Sequence, residues 1–325
     1  EGYTSRHIVW RSAEGKEVEI HIKRMTSFTQ LSLFTIEYSV KALNFDGFVS
    51  FTSTHIGDVM NYCNPNDPRV AGESIEHLIP VCAELIGDVS CLVTRTAKSD
   101  LTVCTLVKHL LSKKSSNDIK LDGHRSICTL TTSIGKEETV TLTKYTIFTD
   151  SLRTGKCKES ALSELKAALS IPLEEVYTRQ RGYLAQYWAQ ASLEIDGDEE
   201  LALAIRYNLY QLIQSVGKDS HGNIAAKGLS GEGYEGHYFW DTEMYIQPFF
   251  TLTNPVISKN LIAYRYGTLD QARENARSLG HRMGALFPWR TIMGKECSGY
   301  FPSGSAAYHI NGDIAYSVVA YYLAK

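Results

Sequence analysis

The sequence is short of the residue pairings that hold disulfides and metals. Its seven cysteines are odd in number, and no two of them form a C-x-x-C pair. A reducing, cytoplasmic setting therefore fits better than a disulfide framework. None of the ten histidines shows the H-x-x-x-H spacing that places two imidazoles on one helical face, so no metal site is expected. No run of Lys or Arg stands out, and 33 basic residues against 36 acidic ones leave a net charge of -3. Nothing here grips a phosphate backbone or an anionic membrane. The longest apolar stretch near the C-terminus, Ala315 to Ala324, holds a serine and three tyrosines and is too short to cross a bilayer. The chain opens Glu-Gly-Tyr with no secretory signal and no initiator Met, so a start downstream of the gene's own start is expected.

The 325 residues, 43% of them hydrophobic, can fill the cores of about two domains. The two halves differ in composition. Residues 1 to 150 hold 18 threonines and 5 alanines, whereas residues 151 to 325 hold 7 threonines and 19 alanines. Threonine suits pleated strands and alanine suits helices. In the first half Val18, Ile20 and Ile22 alternate with Glu19 and His21, and Phe34, Ile36, Tyr38 and Val40 alternate with polar neighbours. These predict half-buried antiparallel strands, as do Phe48 to Thr54, Leu101 to Val107, Ser126 to Thr132 and Glu137 to Phe148. Ser112 to Asp118 reads as a polar surface loop. Many short strands without helical periods between them predict a sandwich. In the second half Leu201, Ile205, Leu209, Leu212, Ile213 and Val216 recur at helical spacing behind the candidate caps Asp196 and Asp198. Asn254-Pro255 reads as a cap followed by proline in the first turn, and Gly280 closes the run Leu269 to Leu279. Ser160 to Ser170 and Tyr177 to Leu193 read as helical connectors. The fold class is α+β multidomain.

Chemistry concentrates in two segments. Lys227 to Glu243 carries Gly228, Gly231, Gly233 and Gly236 straight into His237, Trp240, Asp241 and Glu243. Such glycines let backbone approach a ligand. An indole beside a carboxylate suits a pyranose, whose apolar face stacks while its hydroxyls donate to an oxyanion. Asp241 could equally be only the N-cap of a helix over Thr242 to Phe250. The second segment, Gly284 to Gly304, holds Trp289, Arg290 and Glu296, either as a second wall of the same pocket or as an ordered loop whose Trp plugs the core and whose Arg pairs with a carboxylate. Asp270, Arg273, Glu274 and Arg277 read as a solvated, salt-bridged face. His309 precedes a helix and suits a capping or supporting role, and Cys297 has no adjacent base that would make it a nucleophile.

The string His237-Tyr-Phe-Trp-Asp-Thr-Glu243, the run Asn254-Pro to Tyr264-Arg-Tyr266, Leu269 to Ala276, Phe287-Pro-Trp289 and His309 to Tyr316 together resemble glycoside hydrolase family 65, densely over residues 180 to 325. The resemblance implies an N-terminal antiparallel β-sandwich over residues 1–155, a helical linker over 156–196 and the first part of an (α/α)6 barrel over 197–325. It implies inverting phosphorolysis of an α-linked glucosyl disaccharide to β-glucose 1-phosphate and a free sugar, with inorganic phosphate as co-substrate and no other cofactor. Trp240, Asp241 and Lys227 fall on the family's glucose-holding positions, and Glu296 opens a loop similar to the kojibiose and nigerose branch. The glutamate that serves the family as general acid sits in a Gly-Pro-Asp-Glu-Tyr segment absent here, which the resemblance places downstream of Lys325. An internal piece lacking both ends is therefore expected, with no catalytic residue of its own. Hydrolysis on the same scaffold and noncatalytic carbohydrate binding stand as alternatives, and a homodimer is compatible with the reading.

Overall fold

The computed structural model describes residues 1–67, 70, 72–229, 233–298 and 307–325. The chain divides into two compact units, one of residues 1–61 and 74–184, the other of residues 62–73 and 185–325.

The first unit is built on ten antiparallel strands: β1 (Thr4–Arg11), β2 (Glu17–Thr26), β3 (Leu33–Ala42), β4 (Gly47–Ile56), β5 (Leu78–Ile86), β6 (Val89–Thr96), β7 (Thr102–Leu111), β8 (Ser116–Asp122), β9 (Arg125–Ile134) and β10 (Thr139–Asp150). Seven of them form one sheet in the order β1-β2-β3-β10-β7-β6-β5, and β4-β9-β8 form a second. Alternation assigns the two faces of the large sheet. Val40, Ala42, Val140 and Leu142 meet Phe51, Cys128, Leu130 and Ile134 of the small sheet in one core. Leu33, Tyr145 and Ile147, of opposite parity, pack against helix α1 (Cys157–Leu169) through Ala161, Leu165 and Ala168. The predicted sandwich is present, with a helix as a third layer. The polar stretch Ser112 to Asp118 is a loop only at its start, because from Ser116 it pairs with β9 as an edge strand.

Helix α2 (Leu173–Ala191) adds Val176 and Tyr177 to that second core. Its fully buried Gln180 accepts a hydrogen bond from the Phe28 amide at 2.8 Å and donates to the carbonyls of Gly2 and Thr26, each at 3.1 Å. A buried amide with all these partners costs little and fixes register. The division between units falls within α2. All seven cysteines are free thiols. Cys91 and Cys104 stand 3.9 Å apart in the core, where the neighbouring sulfur and burial push the Cys91 thiol far up.

The second unit is helical: α3 (Glu199–Ser215), α4 (Gln247–Thr253), α5 (Pro255–Gly267), α6 (Leu269–Ser278) and α7 (His309–Ala324). Asp198 caps α3 by accepting from the Leu201 amide, and Asn254 caps α5 at the Ile257 amide, both as the sequence suggests. Gly280 takes the left-handed conformation (φ 87°) just past α6 and its amide turns back to Arg277. Arg273 and Asp270 form a surface pair at 2.8 Å. Among the described residues no helix is long and apolar enough to cross a membrane.

Candidate functional site

Three loops of the second unit are zipped together by backbone pairing. Tyr238 bridges Ala225 on one side and Thr291 on the other, with Tyr238 N–H donating to Thr291 O at 2.7 Å and the reverse bond at 3.1 Å. The glycine-rich segment, whose residues 230–232 with Gly231 lie outside the described residues, is thereby held at Tyr238 between the other two. Its residues Tyr234 and Glu235 both adopt left-handed backbone conformations (φ 62° and 54°), followed by Gly236 at 75°. Two adjacent non-glycine residues there are strained and persist only where surroundings enforce them. The enforcing group is Arg290, nearly buried, whose Nη2 lies 3.1 Å from a Glu235 carboxylate oxygen and 3.4 Å from the Tyr234 carbonyl. His237 Nδ1, 2.8 Å from the same carbonyl, closes the turn. Burial and the Arg290 charge lower the His237 pKa, outweighing the Tyr234 carbonyl, which raises it.

The turn faces a cavity of about 280 Å³ lined by Ile224, Tyr234, Phe239, Asp241, Ile246 and Trp289, with Ala225, Ala226 and Thr242 completing it. Its aromatic wall is interlocked edge to face: Tyr234 on Phe239 at 5.3 Å, Phe239 on Trp289 at 5.4 Å. Asp241 is the one carboxylate among the lining residues. It is exposed and stands ahead of a π-helical turn, Thr242–Ile246, that runs into α4. Its side chain makes no cap bond to that helix, so the capping role open to it in the sequence is not the one it takes. Wide π turns of this kind re-aim the residues around them, and they recur at functional sites.

Glu243, two residues on, is fully buried and belongs to the scaffold. Its carboxylate receives Arg265 Nε at 2.6 Å and Nη2 at 2.8 Å, and the same guanidinium reaches the Phe239 carbonyl at 3.3 Å. This bidentate pair ties α5 to the π turn.

The four binding residues singled out by sequence fall in different places. Asp241 lines the cavity. Trp240 is not among the lining residues, because its ring packs edge-on against His309 at 4.8 Å and beside Tyr245 at 6.0 Å. The indole on the cavity is Trp289 instead. Glu296 acts through that residue: one carboxylate oxygen accepts from the Trp289 amide at 2.7 Å, the other from the Ser298 amide at 2.8 Å. The loop it opens, Glu296 to Gly304, lies outside the described residues from position 299 onward. Lys227 is exposed, its stem lying over Gly233 where a Cβ would meet it at 3.0 Å. His309 is the first residue of α7 rather than its predecessor, and pairs with Asp313 at 2.8 Å. At the other end of that helix Lys325, beyond which the resemblance places the family's general acid, is an exposed C-cap and has no part in the cavity. The strained turn at Tyr234 and Glu235 and the Arg265–Glu243 tie had no local signal beyond the glycines around them and a run of three motif residues.

Residues 1–187 match the glycosyl hydrolase family 65 N-terminal domain, and residues 206–325 match the glycosyl hydrolase family 65 central catalytic domain. An alpha,alpha-trehalose phosphorylase of Geobacillus stearothermophilus is 47% identical over 99% of this chain and 42% of its own length. A second alpha,alpha-trehalose phosphorylase, of Thermoanaerobacter brockii, is 39% identical over 98% of this chain and 42% of its own. A kojibiose phosphorylase of Halothermothrix orenii is 30% identical over 99% of this chain and 44% of its own. A solved structure of a protein from the human microbiome superimposes with a TM-score of 0.87 at 23% identity, covering 98% of this chain and 41% of that one, which shows the same fold. The chain spans about two fifths of the length of the curated relatives it matches. With N-terminal sheets followed by the start of a helical catalytic domain, in the order both matched domains require, the chain belongs to glycosyl hydrolase family 65.

Proposed function

We propose that this chain supplies the glucose-holding part of an inverting phosphorylase that converts an α-linked glucosyl disaccharide and inorganic phosphate into β-glucose 1-phosphate and a free sugar. The observation that carries the reading is Asp241, an exposed carboxylate that makes no cap bond to the helix it begins and is set in a cavity walled by Tyr234, Phe239 and Trp289. An oxyanion among aromatic faces binds hydroxyls and stacks a pyranose, and has little else to recognise. In an inverting displacement the acid protonates the glycosidic oxygen while phosphate attacks from the opposite face, and the sugar between them must be held rigidly. Trp240, Lys227 and Glu296 serve that cradle: Glu296 by fixing Trp289, Trp240 by packing beside Asp241 onto His309 of α7, and Lys227 as an exposed cation whose stem covers Gly233.

Two considerations bear on the linkage. The Glu296 loop resembles the kojibiose and nigerose branch, whereas the relatives at 47% and 39% identity carry the name of trehalose phosphorylase. Similarity over the whole chain outweighs one loop, so trehalose is the substrate we place first. The test is to incubate the full-length protein with trehalose and, separately, kojibiose, with and without phosphate, and to follow glucose 1-phosphate and its anomeric configuration by NMR. Phosphate-dependent β-glucose 1-phosphate from trehalose is expected. Sugar release that ignores phosphate would make the protein a hydrolase, and no release from either disaccharide would leave only carbohydrate binding.

A further inference from the structure

We propose that the outer edge of the large sheet carries a binding site for a first-row divalent cation of imidazole preference, such as Zn²⁺, formed by His7, Glu19 and His21. The site rests on strand register, independent of the cavity in the other unit. His7 of β1 and His21 of β2 are direct partners across the antiparallel pair, and Glu19 lies two residues before His21, hence on the same face. The two imidazoles stack with centroids 4.3 Å apart and planes inclined by 13°. Both turn Nε2 toward one atom, Glu19 Oε1, at 2.8 Å from His7 and 3.2 Å from His21. Among the described residues this is the one group of three potential ligands whose donor atoms all lie within 4.8 Å of one another.

These separations suit a small ion. Ligand bonds of about 2.0 to 2.2 Å arranged tetrahedrally put donor atoms roughly 3.3 Å apart, close to the two nitrogen-to-oxygen distances seen. Two nitrogen donors and one carboxylate oxygen favour Zn²⁺, Ni²⁺ or Cu²⁺ over Mg²⁺ or Ca²⁺, which take oxygen. The histidine side chains are about half exposed (53% and 52%), so the ion has a path in and water can complete the shell. Glu19 faces Lys41 across β3, but the Lys41 ammonium is drawn to Glu137 at 2.6 Å, leaving the carboxylate to the imidazoles. The consequence is structural. Every residue of β1 is exposed, and among the described strands it is the outermost of the large sheet. An ion held by ligands from both strands clips that strand to β2.

The test is calorimetric titration of Zn²⁺ into the full-length protein after chelator treatment, with backbone hydrogen exchange of β1 measured with and without the ion. One equivalent should bind, the β1 amides should exchange more slowly, and His7→Ala or His21→Ala should each weaken binding tenfold or more. Glu19→Gln, which keeps the shape of the site, should weaken it as well. Absence of binding by the parent protein, or binding unchanged in the His7→Ala/His21→Ala double variant, would overturn the assignment. Substitution with Co²⁺ guards against a thiol site, since a sulfur-to-cobalt charge-transfer band would place the ion on cysteine and equally defeat the proposal.

Discussion

At Asp241 and Glu243 two carboxylates two residues apart have opposite environments, and their substitutions should separate binding from stability. Asp241 is exposed on the cavity and does not cap its helix, so Asp241→Asn should leave the melting temperature nearly unchanged. A charged acceptor on a sugar hydroxyl is worth about 1.5 to 3 kcal/mol, so kcat/KM should fall by about 10- to 150-fold in the full-length enzyme. A melting shift without a kinetic one would return Asp241 to a structural role. Glu243 should behave in the reverse way. Removing either member of its buried pair leaves an uncompensated charge, and Arg265→Met should cost about 3 to 5 kcal/mol. The double variant Arg265→Met/Glu243→Leu should recover much of that loss, because two apolar side chains leave no charge unpaired. Thermal melts of the three proteins decide it.

Elements differ in how plainly the sequence announces them, and burial explains which. Strands β4 and β9 each present one face to a core and so alternate visibly, whereas β2, β3, β7 and β10 alternate over stretches while feeding the cores on both faces of the large sheet. β1 is exposed along its whole length and has no apolar face to show. β6 buries Ser90, Cys91 and Leu92 in succession, because this strand of the large sheet is covered on both faces, and the alternation is erased. The glycine loop and the second aromatic cluster around Trp289 stood out in the sequence, and the structure sets Tyr234, Asp241 and Trp289 on one cavity. Which indole meets the cavity was not, since neighbouring Trp240 and Asp241 diverge at a π turn that no residue pattern marks. The histidines of the sheet edge stand fourteen positions apart and meet only through register. The loop's geometry yields its own prediction. Arg290 holds Tyr234 and Glu235 in strained backbone, so Arg290→Met should let the turn relax and withdraw Tyr234 from the cavity wall. KM for the disaccharide should rise several-fold with a smaller change in kcat, and a crystal structure of the variant should show position 234 out of the left-handed region. Unchanged KM would mean that the turn holds itself.

Across the whole molecule, the most strongly lowered buried histidines stand together in the sandwich, so acid should act on that unit first. The sandwich interior holds Lys144, His55 and His109 together, and His109 Nε2 has no hydrogen-bond partner among the described residues. Burial, with the Lys144 charge adding to it, pushes both histidines down to about 4. In the unfolded chain they titrate near 6.5, so between roughly pH 6.5 and 4 the unfolded state binds protons that the folded state refuses. Stability is therefore fully present above the unfolded value and lost as pH falls through that window. Each histidine should withdraw on the order of 2 kcal/mol by pH 4.5, allowing for the part of each ring that water still reaches. The helical unit contains His237, shifted in the same direction by burial, and a base of a different kind, Lys218, lowered to about 8 by burial, which titrates far above that range. Hydrogen exchange across the acid range should thus show the amides of β7, β9 and β10 losing protection before those of α5. His55→Gln combined with His109→Gln should shift that loss to lower pH, because glutamine takes up no proton there. If the sheet amides of the double variant opened at the same pH as those of the parent, the histidines would not be the groups that make the sandwich acid-labile.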